Sequence, residues 1–245
     1  MNNHIVLIVG KPSTGKSSSL RNIPANKTAY INTDGKPIPF PVPFKMNVKL
    51  SNIDHLLLGL DQIEAIPEIE YIIIDTLTFM MDMYEMQKVV KAINTQKAWG
   101  EYAQFYKTFI HKIKHSTKKI IVMAHSKDIY NESEMVTEQR VPVKGSVGGT
   151  GVEADFTIIV GSKKVKTQQL EEHSNLLLNI TPEEEEDGIK YVFQTRVTKD
   201  TMNEKMRSPI GLWDRSELYI DNDVEILMKR ITKYYGETKW VYLMD

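Results

Sequence analysis

The chain has 245 residues, 31 Lys+Arg against 32 Asp+Glu, 41% hydrophobic residues and no cysteine. Such a composition buries a core, which excludes wholesale disorder, and its near-neutrality excludes a globally basic coat for nucleic acid. The missing thiols exclude disulfides, thiolate metal sites and a cysteine nucleophile.

The length suits one α/β domain over 1–245, with a core at about 4–215 and a C-terminal helix and strand in 216–245. Ile5–Val9 is a continuous apolar run and reads as a buried strand. It is too short, and lacks the basic flank, for a signal peptide. No stretch approaches the roughly 20 apolar residues that span a bilayer, so the expected location is cytoplasmic, without a membrane partner.

A short helix is expected at Ser17–Arg21 and a second strand at Thr28–Asn32. Pro37, Pro39, Pro41 and Pro43 then alternate with Ile38, Phe40 and Val42, which reads as a rigid extended loop crossing the sheet edge. Helical patterns follow at Ile53–Ile66, Thr78–Ile93 and Trp99–His115. Tyr71–Ile74, Ile120–Ala124 and Phe156–Val160 read as further buried strands. The alternation predicts a mostly parallel central sheet with helices on both faces. Later, Leu176–Thr181, Tyr191–Thr198 and Lys239–Met244 look like strands and Asp223–Tyr235 like a helix. A hairpin with the acidic tip Glu183–Asp187 gives an antiparallel C-terminal extension. Asp61–Glu85 carries seven acids and no Lys or Arg, whereas Lys88–Lys127 carries nine Lys and only Glu101 as acid. A basic face with Lys107, Lys112, Lys114, Lys118 and Lys119 is implied: a solvated helix or a polyanion surface.

Gly10-Lys11-Pro12-Ser13-Thr14-Gly15-Lys16-Ser17 matches G-x-x-x-x-G-K-[ST] between a strand and a helix. Backbone amides of such a loop, with Ser18 beside it, curl around phosphates, Lys16 reaches the β- and γ-phosphates, and Ser17 offers its hydroxyl to Mg²⁺. Ile72-Ile73-Ile74-Asp75 is an apolar strand ending in a carboxylate, which makes Asp75 the second Mg²⁺ anchor. ATP and Mg²⁺ are therefore the expected ligands. Asp34, after the second strand, suits a group that positions or deprotonates water, or a plain turn residue before Gly35. His125 lies at the carboxyl end of its strand, where ligands bind in such sheets, and suits a γ-phosphate sensor. His111 and His115 have the i, i+4 spacing of zinc ligands, but no third ligand is evident.

The order of these motifs, followed by the Gly-rich segment 145–151, Ala154-Asp155-Phe156 and Thr195-Arg196-Val197-Thr198-Lys199-Asp200, resembles the RecA-like ATPases. It resembles most closely the short phage-encoded RecA-like proteins linked to single-strand annealing recombination. The resemblance covers about residues 4–215. It implies a RecA-like fold, Asp34 as catalytic base where the family usually has Glu, and single-stranded DNA as partner. It also implies a homo-oligomeric ring or filament, with a single-strand-binding or replication protein as a further partner. The family's DNA-facing loops correspond to about Ser126–Glu153, which here hold three basic and five acidic residues. Lys199, Lys205 and Arg207 lie where RecA-like proteins carry cations that reach a neighbouring subunit's nucleotide. Two other functions fit the phosphate motif. One is a kinase of a nucleotide or other small molecule, against which the six scattered arginines speak. The other is a nucleotide-gated loader with little turnover.

Overall fold

The first strand places the phosphate motif. In the computed structural model, which describes residues 2–132 and 135–237, β1 (Ile5–Gly10) is buried along its whole length. Ile5, Leu7 and Val9 enter one core layer and Val6 and Ile8 the other. Both faces of the strand are thus covered, which is why its residues run apolar without alternation. Burying each such aliphatic side chain contributes about 1.5–3 kcal/mol.

After a 3₁₀ turn at Ser17–Leu20 come β2 (Thr28–Asn32), β3 (Met46–Lys49), α1 (Asp54–Glu64), β4 (Tyr71–Asp75) and α2 (Leu77–Tyr84). A π-helical turn, Glu85–Val89, continues α2, and α3 (Thr95–His115) and β5 (Lys119–His125) follow. Next are β6 (Lys127–Asn131), β7 (Val136–Arg140), α4 (Gly145–Thr150), β8 (Ile158–Lys166), α5 (Thr167–Leu170), α6 (Pro182–Asp187), β9 (Ile189–Gln194), β10 (Tyr219–Asp221) and α7 (Val224–Glu237).

Eight strands form one sheet in the order β10-β9-β8-β1-β5-β4-β2-β3. From β8 to β3 all neighbours are parallel; β9 pairs with β8, and β10 with β9, antiparallel. One layer of core joins α1, α2 and α3 to the sheet; the other packs Leu20, Phe44 and the α7 residues Val224, Leu227, Met228 and Ile231. The expected mostly parallel α/β sheet with an antiparallel C-terminal side is what the chain forms.

Several expectations are corrected. Leu176–Thr181 is not a strand: it makes only an isolated bridge between Asn175 and Leu178, and Leu176 is exposed. The Asn175 amide instead donates to the Ser216 and Tyr219 carbonyls and closes a turn. The acidic stretch is no hairpin tip but α6, with Pro182 in the first turn and Gly188 as left-handed cap. Thr181 and Glu184 form a reciprocal capping box there, a signature readable in the sequence. The antiparallel partner of β9 is β8. Tyr191–Thr198 is strand only to Gln194, and the Gly-rich segment forms α4 rather than a loop. A Cβ on Gly148 would stand 1.9 Å from the Val143 carbonyl oxygen, so the backbones approach there too closely for any side chain. The strands β3, β6, β7 and β10 were not foreseen, and Lys239–Met244 lies outside the described residues.

The basic face is largely spent inside the molecule. Lys112 meets Asp61 of α1, Lys114 lies 3.3 Å from Asp155, and Lys118 donates to the Ile66 carbonyl at 2.8 Å. Lys119 sits over the Tyr71 ring, which leaves Lys107 exposed on α3. The acid-rich and lysine-rich stretches partly neutralise each other across α1 and α3. His111 and His115 stack on one another, 4.1 Å between centroids, and no cluster of three metal-ligating side chains exists among the described residues. Nor does any described helix have the length and apolarity to cross a membrane.

Candidate functional site

The carboxyl ends of β1, β2, β4 and β5 meet at one cavity of about 290 Å³. Pro12, Ser13, Gly15, Lys16, Ser17 and Ser18 line it from the loop after β1; Asp34, Lys36, Asp75 and His125 line it from the other strand ends. The sequence-predicted phosphate, metal, base and sensor residues thus converge on one place. Pro37 and Pro39 complete the wall, so the proline-rich connector is part of the site.

The loop begins at Gly10, where a Cβ would lie 2.6 Å from both the Ser162 carbonyl and Thr14 Oγ1. Only glycine fits that approach. Thr14 Oγ1 donates to the Lys11 carbonyl at 2.9 Å, and the Ser162 hydroxyl donates to the Thr14 carbonyl at 2.7 Å. Asn222 donates in turn to Ser162 at 3.2 Å. Lys16 threads back under the loop, its Nζ donating to the Gly10 carbonyl at 2.8 Å and the Lys11 carbonyl at 2.9 Å. Burial pulls its pKa down to about 8, against the attraction of Asp75.

Ser17 Oγ donates to Asp75 Oδ2 at 2.8 Å, and Tyr30 donates to the same oxygen at 2.9 Å. Asp75 is buried at the end of β4, and that burial pushes its pKa up, while the two hydroxyls hold it down. Thr33 and Thr76 exchange hydrogen bonds at 2.8 Å and tie the end of β2 to that of β4. Asp34 follows at once. Its Oδ1 accepts the Lys36 N–H at 2.6 Å, and Lys36 Nζ stands 3.3 Å from Oδ2. The His125 N–H donates to Thr78 Oγ1 at 2.8 Å, and the ring meets Phe79 edge-on at 5.4 Å. Burial, then Lys16 and Lys36, lower the His125 pKa to about 4, so the imidazole is neutral at pH 7. Its Nδ1 is buried without a partner. In the tautomer that carries the proton on Nδ1, this nitrogen suits a role as donor to an incoming anion.

Lys199, Lys205 and Arg207 do not line this cavity. Lys205 donates to Glu138 at 3.0 Å. Arg207 donates to the Phe156, Glu153 and Ala154 carbonyls at 2.7–2.9 Å and pins the turn before β8. Lys199 is exposed in a 3₁₀ turn. Sequence reasoning missed Tyr30, Lys36, Thr78, Phe79, Ser162 and Asn222. Lys36 and Phe79 sit close in sequence to Asp34 and Asp75, a signal at hand, whereas Ser162 reaches the loop through the parallel pairing of β8 with β1 and Asn222 through the distant antiparallel edge.

Beside the cavity, Lys11 pairs with Asp128 of β6 at 2.7 Å. The β6–β7 pair is a separate two-stranded sheet that exposes Ile129 and Tyr130, with Met135 exposed just before β7.

No curated protein sequence matches the chain. Among solved structures, a KaiC-like protein from the hyperthermophilic archaeon Pyrococcus horikoshii OT3 is similar, with 9% identity, 82% of each chain covered and a TM-score of 0.44. The model of the AAA domain family matches residues 2–207, which include every wall of the phosphate cavity. The chain belongs to the AAA domain family of P-loop ATPases.

Proposed function

We infer that the chain is a Mg²⁺-dependent ATPase of the phage RecA-like type that acts on single-stranded DNA in recombination or replication. The observation that carries the ATPase part is the 2.8 Å bond between Ser17 Oγ and Asp75 Oδ2 beneath the loop that Lys16 closes. A hydroxyl and a buried carboxylate already in contact fit Mg²⁺, which takes one or two protein oxygens and completes its shell with phosphates and water. Ser17 and Asp75 would hold the ion, and it would supply charge neutralisation on the phosphates. Lys16 would exchange its two carbonyls for phosphate oxygens. Asp34 would orient and deprotonate water, and neutral His125 would donate to the γ-phosphate and register its loss.

The DNA part rests on the motif resemblance and on the β6–β7 pair. Its exposed Tyr130 is a stacking platform of the kind that binds bases without regard to sequence. The Lys11–Asp128 ion pair joins that hairpin to the phosphate loop, so nucleotide that draws on Lys11 would bear on the DNA surface. Assembly into a ring or filament would bring a cation to the neighbour's nucleotide. Lys199 suits that role better than Arg207, whose guanidinium is occupied by carbonyls.

Turnover with Mg²⁺ or with a chelator, and with or without single-stranded DNA, tests the reading. Mg²⁺-dependent hydrolysis stimulated by DNA supports it. Phosphate transfer to a small acceptor would make the chain a kinase, and binding without turnover a loader. DNA affinity that stays flat in a salt titration would remove nucleic acid as the partner, since counterion release makes such binding steeply salt-dependent.

A further inference from the structure

Two cations line the phosphate cavity, Lys16 and Lys36. They face two carboxylates, Asp34 and Asp75, and no arginine lines the cavity among the described residues. A nucleoside triphosphate would bring several negative charges into a site whose side chains are neutral in sum, and its transfer chemistry places charge on the γ-phosphate oxygens. Lys16 is buried and held by two carbonyls. Lys36 is its opposite: its side chain is 75% exposed and stands on the rim. Its Nζ lies 3.3 Å from Asp34 and 5.5 Å from the Phe79 centroid, and that ring touches His125. The backbone beneath it is fixed: the Lys36 N–H is bonded to Asp34 Oδ1, its carbonyl accepts from Asn32 at 2.7 Å, and Pro37 follows. Movement is therefore left to the four-carbon stem, which carries a compact point charge.

We propose that Lys36 is a catalytic residue that supplies the γ-phosphate with a cation from the chain's own rim, with Asp34 as its resting partner. This rests on the ATPase reading above. When a γ-phosphate enters, Nζ exchanges the Asp34 carboxylate for a phosphate oxygen, one anion for another. The same exchange frees Asp34 Oδ2 to face water, so the base becomes available only when its target is present. In hydrolysis the water oxygen bonds to the γ-phosphorus as the bond to the β–γ bridging oxygen breaks. The electron pair leaves with the diphosphate, Asp34 takes the water proton, and Lys36 keeps its own. No neighbouring subunit is needed for this cation; one that arrives in trans adds to it.

The test is calorimetry on the full chain with Mg²⁺, using ADP and a non-hydrolysable ATP analogue, for the parent, Lys36→Met, Lys36→Arg and Lys16→Ala. Lys36 is exposed, so its variants are expected to fold, which circular dichroism checks. Lys36→Met should bind ADP within twofold of the parent but the analogue about tenfold more weakly, as expected for one charged hydrogen bond. Its kcat for ATP should fall about 10²-fold, the effect of losing one donor to developing charge. Lys36→Arg should restore most of both. If Lys36→Met weakens ADP and analogue alike, or neither, Lys36 does not touch the γ-phosphate and the proposal is overturned. Lys16→Ala keeps that failure separate: if it too leaves both affinities unchanged, the ATPase reading itself is lost.

Discussion

The floor and the rim of the phosphate cavity are held by different kinds of contact. On the floor, Ser17 and Tyr30 donate to Asp75 and Lys16 donates to the Gly10 and Lys11 carbonyls, all at 2.8–2.9 Å, and Lys16 and Asp75 are buried. On the rim, Asp34 and Lys36 meet 3.3 Å apart, the lysine mostly in water, and Lys11 reaches out to Asp128 on an exposed hairpin. Buried polar groups that satisfy one another hold a geometry in advance, and preorganised charge is what stabilises a transition state. Exposed ion pairs contribute little stability and rearrange easily. The floor is thus built to receive the phosphates and the rim to respond to them.

The most severe break of this contrast is Lys16→Ala. It removes the floor's only cation, and turnover measured as kcat/KM should fall by on the order of 10³ or more. Calorimetry should show nucleotide binding lost. A variant that retains parental binding and turnover would mean that the loop after β1 does not hold the phosphates.

Asp34→Asn strikes the rim instead. The amide keeps the size and accepts the Lys36 N–H, but it takes no proton, so hydrolysis should fall about 10²–10⁴-fold with ATP binding retained. Single-turnover measurement separates the two quantities. Parental chemistry in this variant would move the base elsewhere and leave Asp34 as a turn residue.

The same contrast explains what the sequence made legible. Apart from Tyr30, the floor comes from contiguous motifs on strands buried on both faces, where continuous apolar runs mark Ile5–Val9 and Tyr71–Ile74 and the terminal Asp75 stands out. Which of these strands are neighbours, β1 between β5 and β8, was not written in those runs. The antiparallel edge was harder. β9 stops at Gln194 and alternates exposed and buried residues over its first four positions, and the edge strand β10 has only three residues. Their contribution to the site runs through Asn222, just after β10, whose amide meets Ser162 of β8 only in the folded sheet. The β6–β7 pair was hidden for a related reason: its residues are mostly polar, so no hydrophobic period marks it. The charge layout left a solvated helix and a polyanion surface both open. Lys112 finds an acid on α1 and Lys118 a carbonyl nearby, partners that no one-dimensional pattern discloses.

His125 lies between floor and rim and gives the contrast a pH dependence. Its folded pKa, about 4, is below the ordinary 6.5, so the native state prefers the neutral ring. Stability is therefore full above pH 6.5 and declines as pH falls from 6.5 toward 4, where the unfolded chain takes up the proton first. The ring keeps some contact with water, so about 1–2 kcal/mol is expected, roughly half of what the whole shift would give. Urea midpoints at pH 7 and pH 4.5 should differ less in His125→Gln than in the parent. His4, also lowered by burial, contributes the same sign in both proteins and cancels. An equal acid loss in parent and variant would mean that His125 titrates normally.

The smallest effect sought is on the floor itself. Tyr30→Phe removes one of the two hydroxyls on Asp75 Oδ2 and leaves the Ser17 bond in place. The ring stays packed against Phe44, 5.3 Å between centroids, so the change is confined to the hydroxyl. One hydrogen bond to a buried carboxylate is worth about 1.5–3 kcal/mol in full. Part returns because Asp75, already raised by burial, becomes easier to protonate and sheds the cost of its charge. A net loss of about 1 kcal/mol at pH 7 is expected by urea unfolding. It should shrink as pH falls, since a protonated Asp75 has less need of the donor. The Mg²⁺ concentration for half-maximal turnover should rise at the same time, because a carboxylate that holds its proton longer is a poorer metal ligand. A variant with unchanged stability and unchanged Mg²⁺ dependence would show that Tyr30 merely fills space, and that Ser17 alone keeps Asp75 ready.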